Sequence, residues 1–544
     1  MKQLKSIFSK ILISLFVFST NLIYAHEQSL TNIEEASLGT VDFPISCSND
    51  VQTQFNKGLA LLHNMMYLQS EKEFNAVVKH DPTCAMGYWG IAMTLFHPLW
   101  APPNSDEVKR GWEAIQKAVA LMPPTKREMS YIRAVTAFYK DWNAMDHRTH
   151  ISAWEKLQEK VFKENPEDID AGALYALAHL ATASKGDKTF SHQKKAGAII
   201  DNLRAKAPYH PGIFHYTIHA YDNPLLANRA LEAAKEYDKV APDAPHAQHM
   251  PSHIFVRLGL WTLTSEWNIR SAAAAKKQSK QGELSLHYIH AMDYLIYAYL
   301  QQAQDKKSQD VLVAVNKVER YQDSFVSAYG IAAVQARYFL ELREWENAAK
   351  LKIRTHSTFP WDKYPWYEAI TYFARGLGAA RSNDIDKAQD SIRTLDTFYE
   401  HTKKAGQDYW AVIVDSQRKS VAAWTAYSAG KTDKALQLMK TAADIEDSVD
   451  KHPVTPGAVL PARELLGDML VLLGKYDEAI DAYEATLLVS PNRFNSLYGA
   501  GYAAQNAGDF KKAKFYYEKL IALTSGIDSD RSCLKIVKEF LSKK

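Results

Sequence analysis

Two histidine pairs with the same spacing lie in consecutive stretches of this chain. His215-Tyr-Thr-Ile-His219 is followed by His249-Met-Pro-Ser-His253, and each histidine of the first pair is matched by one 34 residues later. Residues four apart share one face of a helix. Four imidazoles carried on two packed helices could therefore converge on one small volume, and neutral imidazole is the commonest metal ligand. An imidazole-rich set suits zinc, copper, nickel or iron better than calcium or magnesium, with zinc the first candidate. The expected metal ligands are His215, His219, His249, His253 and Asp293, with Asp222, His287 and His290 placed to complete or orient the shell. Of the 19 histidines, ten fall between His179 and His290. A plainer reading stands beside this one: groove imidazoles bond one another and water, or receive an acidic peptide, and hold no metal.

The spacing fixes no reaction. Zinc proteases of the H-E-x-x-H type need a glutamate beside the first histidine as general base, and Tyr216 and Met250 stand there. There is no Gly-rich phosphate loop, nucleophile elbow or Cys-x-x-Cys pair. Whether the chain is an enzyme is left undecided; a metal-dependent hydrolase or oxidoreductase, with Asp222 or Asp293 as base, is the alternative to a binding protein. Tyr88, Trp89, His97, Tyr216, Asp222 and His290 are the expected ligand-groove residues, since aromatic groups with polar tips give contact area at little entropic cost. For Tyr88 and Trp89 the competing reading is burial in the core. Pro251 must also be accommodated: a helix begun at Pro245 would be kinked there, and one begun at Pro251 would leave His249 in the preceding turn.

The elements that position these residues are helical hairpins. Gly467, Tyr476, Ala479 and Tyr483 are echoed 34 residues later by Gly501, Phe510, Ala513 and Tyr517, and Pro491 closes the first unit. Gly58, Tyr67, Phe74 and Pro82 take corresponding positions near the start. Leu465, Leu466, Met469, Leu472 and Leu473 recur at helical spacing, and no strand-like alternation is sustained. On these residues the chain resembles the tetratricopeptide repeat family, over most of residues 50 to 525. The order of segments around His215, His249-Met250-Pro251-Ser252-His253 and His290-Ala291-Met292-Asp293-Tyr294 is similar, across nearly the whole mature chain, to that of exported bacterial tetratricopeptide proteins without an assigned role. The resemblance implies an all-α solenoid of stacked antiparallel helix pairs, with the histidine positions lining a concave groove. The expected function is binding of a peptide, protein segment or small ligand in that groove, with or without a metal. Scaffolding of an envelope assembly is a third reading.

Residues 1–25 read as a signal peptide: Lys2 and Lys5, an apolar run from Ile11 to Phe18, and a small-residue end at Ala25. The expected product is exported, either periplasmic or secreted. Residues 26–49 form an N-terminal extension, 50–300 an N-terminal solenoid with the histidine-rich groove, and 301–544 a C-terminal solenoid. No stretch is apolar enough to span a membrane. With 65 Lys and Arg against 62 Asp and Glu, the net charge of +3 provides no general attraction for phosphate backbones, so nucleic acid is not an expected partner. In an oxidising compartment Cys47 and Cys84 could pair, leaving Cys533 free; three inert thiols are the alternative.

Overall fold

The computed structural model describes residues 38–184, 186–279, 282–527 and 529–542. The signal-peptide expectation, like most of the N-terminal extension, lies outside them. The described chain is all α-helix apart from short 3-10 turns and an isolated bridge between Leu284 and Tyr321. Successive helices pack as antiparallel neighbours, from Gln52–His63 on Tyr67–His80 through to Phe494–Ala507 on Phe510–Leu523. Among the described residues no helix is long and apolar enough to cross a membrane.

Local sequence explains where helices start. Asn104 caps Ser105–Ala120 through the amides of Asp106 and Glu107, and Glu107 returns the bond to the Asn104 amide. Asp168 caps Ile169–Ala181, and Pro211 opens Pro211–Tyr221, where its missing N–H costs nothing. The repeat signature has a direct packing cause. Tyr483 lies against Gly467 and Tyr517 against Gly501, so closely that a Cβ on either glycine would come within 2.8 and 2.5 Å of the ring.

Two large apolar cores run along the solenoid, with a small third cluster of Val256, Trp261, Tyr294, Tyr297 and Ala298. One extends from Val41 to Trp267, the other from Ala272 to Val537. The Trp261–Gln278 helix contributes to both, Trp267 to the first and Ala272 and Ala275 to the second. The superhelix curls so that its halves meet. Trp261 Nε1 donates to Asn492 O at 2.8 Å. The wholly buried Arg493 guanidinium holds Glu464 at 2.9 Å, Glu341 at 3.0 Å and the Tyr297 hydroxyl at 2.9 Å. In the segment after Asp447, Asp450 and Lys451 reach back to Arg257 and Asp222 of the first half, while the Gly457 and Ala458 carbonyls accept from Arg337.

At the other end the extended residues from Leu38 onward are tied down by Thr40 N donating to Tyr209 O at 2.9 Å and by Asn64 Nδ2 donating to Leu38 O at 3.0 Å. Cys47 and Cys84 form a disulfide, and Cys533 is a free, partly buried thiol.

Candidate metal centre

Seven histidines, His215, His219, His246, His249, His253, His287 and His290, pack ring against ring in the interior of the first half. They come from three successive units. Pro211–Tyr221 carries the first pair. Pro245–His249 and Pro251–Arg257 carry the second, and Leu286–Gln301 supplies His287 and His290. Pro251 interrupts the middle helix as its chemistry requires. Met250 between the two pieces stays in the helical region, φ −53° and ψ −39°, so the four-residue pairing survives: His249 Nε2 lies 3.0 Å from His253 Nε2.

The four histidines read from the sequence do not gather around one point. Potential ligand atoms of His215, His219 and His246 lie within 4.8 Å of one another, and those of His249, His253 and His290 form a second such trio. Each trio joins an i,i+4 pair to one ring from the next unit. His246 has no histidine 34 residues to either side, where Gly212 and Lys280 stand, so the repeat period does not mark it; its place three residues before His249 is the available signal.

Hydrogen bonds decide which nitrogens face inward. Asn268 Nδ2 donates to Thr264 O, so its Oδ1 is the atom that accepts from His249 Nδ1 at 2.7 Å. An Asp222 carboxylate oxygen accepts from His253 Nδ1 at 3.0 Å. The carbonyl of His63 accepts from His215 Nδ1 at 2.7 Å. With Nδ1 protonated in each, the neutral ring presents a bare lone pair at Nε2. The Nε2 atoms of His249 and His253 therefore face each other across 3.0 Å, with the Tyr294 hydroxyl 3.3 Å from His253 Nε2, and His215 Nε2 meets His219 Nε2 at 3.1 Å. Both ring nitrogens of His246 are buried without a hydrogen-bond partner among the described residues. Buried polar atoms are seldom left so.

Protonation does not relieve this. Burial first, and the neighbouring imidazoles second, lower the cluster's pKa values: His215 to about 3, and His219, His246, His249 and His290 well below the usual histidine range. His253 is lowered by burial to about 4 despite the Asp222 bond. Burial likewise takes His287 to about 4. Burial would raise the Asp222 carboxyl, yet Lys451 and Arg257 hold it well below its usual range.

Asp222 links this cluster to the second half of the chain. Lys451 Nζ lies 2.6 Å from its Oδ2, and Arg257 Nε donates to its Oδ1 at 2.9 Å while its Nη2 reaches Asp450. A cavity of about 120 Å³, lined by Pro98, Leu99, His219, Asp222, Asp450 and Lys451, opens beside it.

Other expected residues fall elsewhere. Asp293 is not among the histidines: its Oδ1 accepts from the buried Arg337 at 2.9 Å, because a guanidinium from Phe325–Glu341 enters the core there and requires a carboxylate. Trp89 is core, stacked on Phe43 and edge-on to Tyr131. Tyr88 is half-buried, with Lys117 Nζ 5.5 Å from its ring. His97 rests on the Tyr67 ring at 4.6 Å and precedes the Pro98 and Leu99 of the cavity wall. Tyr216 approaches His63 Nδ1 at 3.0 Å, within a separate buried set in which one oxygen of Asp170 meets His63 Nε2 at 2.8 Å and His210 Nε2 at 3.1 Å. Both imidazoles can donate to that oxygen, His210 Nδ1 is buried without a hydrogen-bond partner among the described residues, and the ligand atoms of His63, Asp170 and His210 lie within 4.8 Å of one another as a further such group; the His63 carbonyl supports His215.

Residues 460–493 and 494–526 each match the tetratricopeptide repeat model. No curated protein matches the chain in sequence. Among solved structures, the human IFIT1 dimer with m7Gppp-AAAA is 12% identical, covering 81% of this chain and 90% of its own, with a TM-score of 0.35. The yeast Tom70 crystal structure is 11% identical, covering 90% of this chain and 96% of its own, with a TM-score of 0.29. Likeness at that level carries no argument about ligands. The chain is thus a helical-hairpin solenoid that carries tetratricopeptide repeats, the matched pair occupying residues 460–526.

Proposed function

We propose that this protein is an exported binding protein whose solenoid holds a transition metal ion in the histidine cluster. A small ligand or peptide segment then meets the groove beside it, and nucleic acid is not its partner. The observation that carries the reading is the pair of Nε2 atoms on His249 and His253, 3.0 Å apart with both Nδ1 protons already committed. A cation between the two facing Nε2 lone pairs turns this geometry into ligation, with the Tyr294 hydroxyl 3.3 Å from His253 Nε2 beside it. At an ion ~2.0 to 2.1 Å from each nitrogen, a separation of 3.0 Å subtends roughly 95°, within reach of a distorted tetrahedron. The backbone carbonyl, amide and carboxylate behind the rings are the partners that ligating histidines ordinarily have.

A metal-dependent oxidoreductase or hydrolase is the second reading, favoured by one feature: the cavity beside the cluster is lined in part by His219. The first test is metal analysis of the purified, tag-free protein before and after reloading. Stoichiometric transition metal is expected, together with its loss in the His249→Ala/His253→Ala double variant. Retention of full metal by a folded double variant refutes the assigned ligands.

A further inference from the structure

The seven-histidine cluster holds more ligand nitrogens than one ion can use. We infer that it is a two-ion site for copper(I), with one ion on His215, His219 and His246 and its neighbour on His249, His253 and His290; this rests on the metal-binding reading above. Each trio is complete in itself, its potential ligand atoms lying within 4.8 Å of one another. The trios also share a wall. The His246 ring lies 6.0 Å from His249 and 6.3 Å from His290, and His219 lies 6.1 Å from His253. At ring separations of 6.0 to 6.3 Å, ions held by the two trios are neighbours.

Charge selects the oxidation state. Neither trio contains a carboxylate or thiolate. The charged groups around them cancel: Asp222 and Asp450 are offset by Lys451 and Arg257, all four joined by contacts of 2.6 to 2.9 Å. Two divalent ions would place four uncompensated positive charges in a buried space, where Coulomb repulsion is least screened. Two monovalent ions halve that charge and reduce the pairwise repulsion fourfold. Three neutral nitrogen donors satisfy a three-coordinate copper(I) ion, and imidazole is among copper's preferred ligands. Calcium and magnesium, which need oxygen donors, are excluded by the same list. The cavity edged by His219 and Lys451 is the route by which an ion enters.

The test is to load the metal-free, full-length mature protein with copper(I) under anaerobic conditions, remove the excess on a desalting column, and count copper per chain by mass spectrometry. Two per chain are expected. His246→Gln and His290→Gln, each checked for native helix content, are each expected to retain one. A parallel loading with zinc is expected to give no more than one. One copper per chain in the unaltered protein, or two retained in both single variants, overturns the pair. A single zinc or copper that is lost on His249→Ala/His253→Ala keeps the metal-binding reading while the pair fails. No bound metal of either kind removes both.

Discussion

Lys451 Nζ lies 2.6 Å from Asp222 Oδ2, the oxygen that also accepts the Nδ1 proton of His253. The two residues are 229 positions apart, and their contact makes the closure of the superhelix part of the histidine centre. Whatever moves the Asp450 to Ala458 segment changes the carboxylate that orients a ligand ring.

Asp222→Asn is expected to weaken metal binding by about 10- to 100-fold, the usual cost of losing the group behind a ligating histidine. It also leaves Lys451 and Arg257 buried beside an uncharged amide. Breaking a buried ionic set from one side costs roughly 3–5 kcal/mol. Competition with a chromophoric chelator measures the first effect and a denaturant melt the second. Unchanged affinity in a folded Asp222→Asn protein would show that His253 is oriented without it.

Arg493→Met is expected to destabilise the chain by about 3–5 kcal/mol. The guanidinium is wholly buried with Glu464 and Glu341, and its removal leaves Glu464 with Arg343 as its remaining cation and takes the buried cation from Glu341. Guanidinium denaturation followed by circular dichroism checks this. A loss below 1 kcal/mol would mean that water or a side-chain shift compensates there.

Replacing Cys47 and Cys84 by serine is expected to cost about 3–4 kcal/mol, the chain-entropy value for a closed loop whose ends are 37 residues apart. The loss should be local, loosening the segment from Val41 to Ser48 and leaving the histidine cluster intact. Hydrogen exchange resolved by segment distinguishes that outcome from global loosening.

Acid should destabilise the chelator-treated protein through the cluster. His215, His253 and His287 titrate at about 3, 4 and 4 in the folded chain, below the ~6.5 of an unfolded histidine. The unfolded state thus binds more protons between those values. The stability of the neutral cluster is fully present above pH ~6.5 and falls as pH drops toward about 4, by at most about 3 kcal/mol for His287 alone. A melting temperature that is flat from pH 7 to 4.5 contradicts this.

The spacing of Gly467, Tyr483, Gly501 and Tyr517 was enough to read helical hairpins, because a ring against a glycine is a local packing event repeated at one period. The pairing of His215 with His219 and of His249 with His253 was legible for the same reason: four residues make one helical turn. What no spacing contains is how successive hairpins rotate. That rotation brings His246 to the first pair and His290 to the second. It turns Asp293 to Arg337 and delivers Lys451 to Asp222. Small angles between units accumulate along a solenoid, so a contact across 229 positions is a property of their sum, and only the folded superhelix decided it.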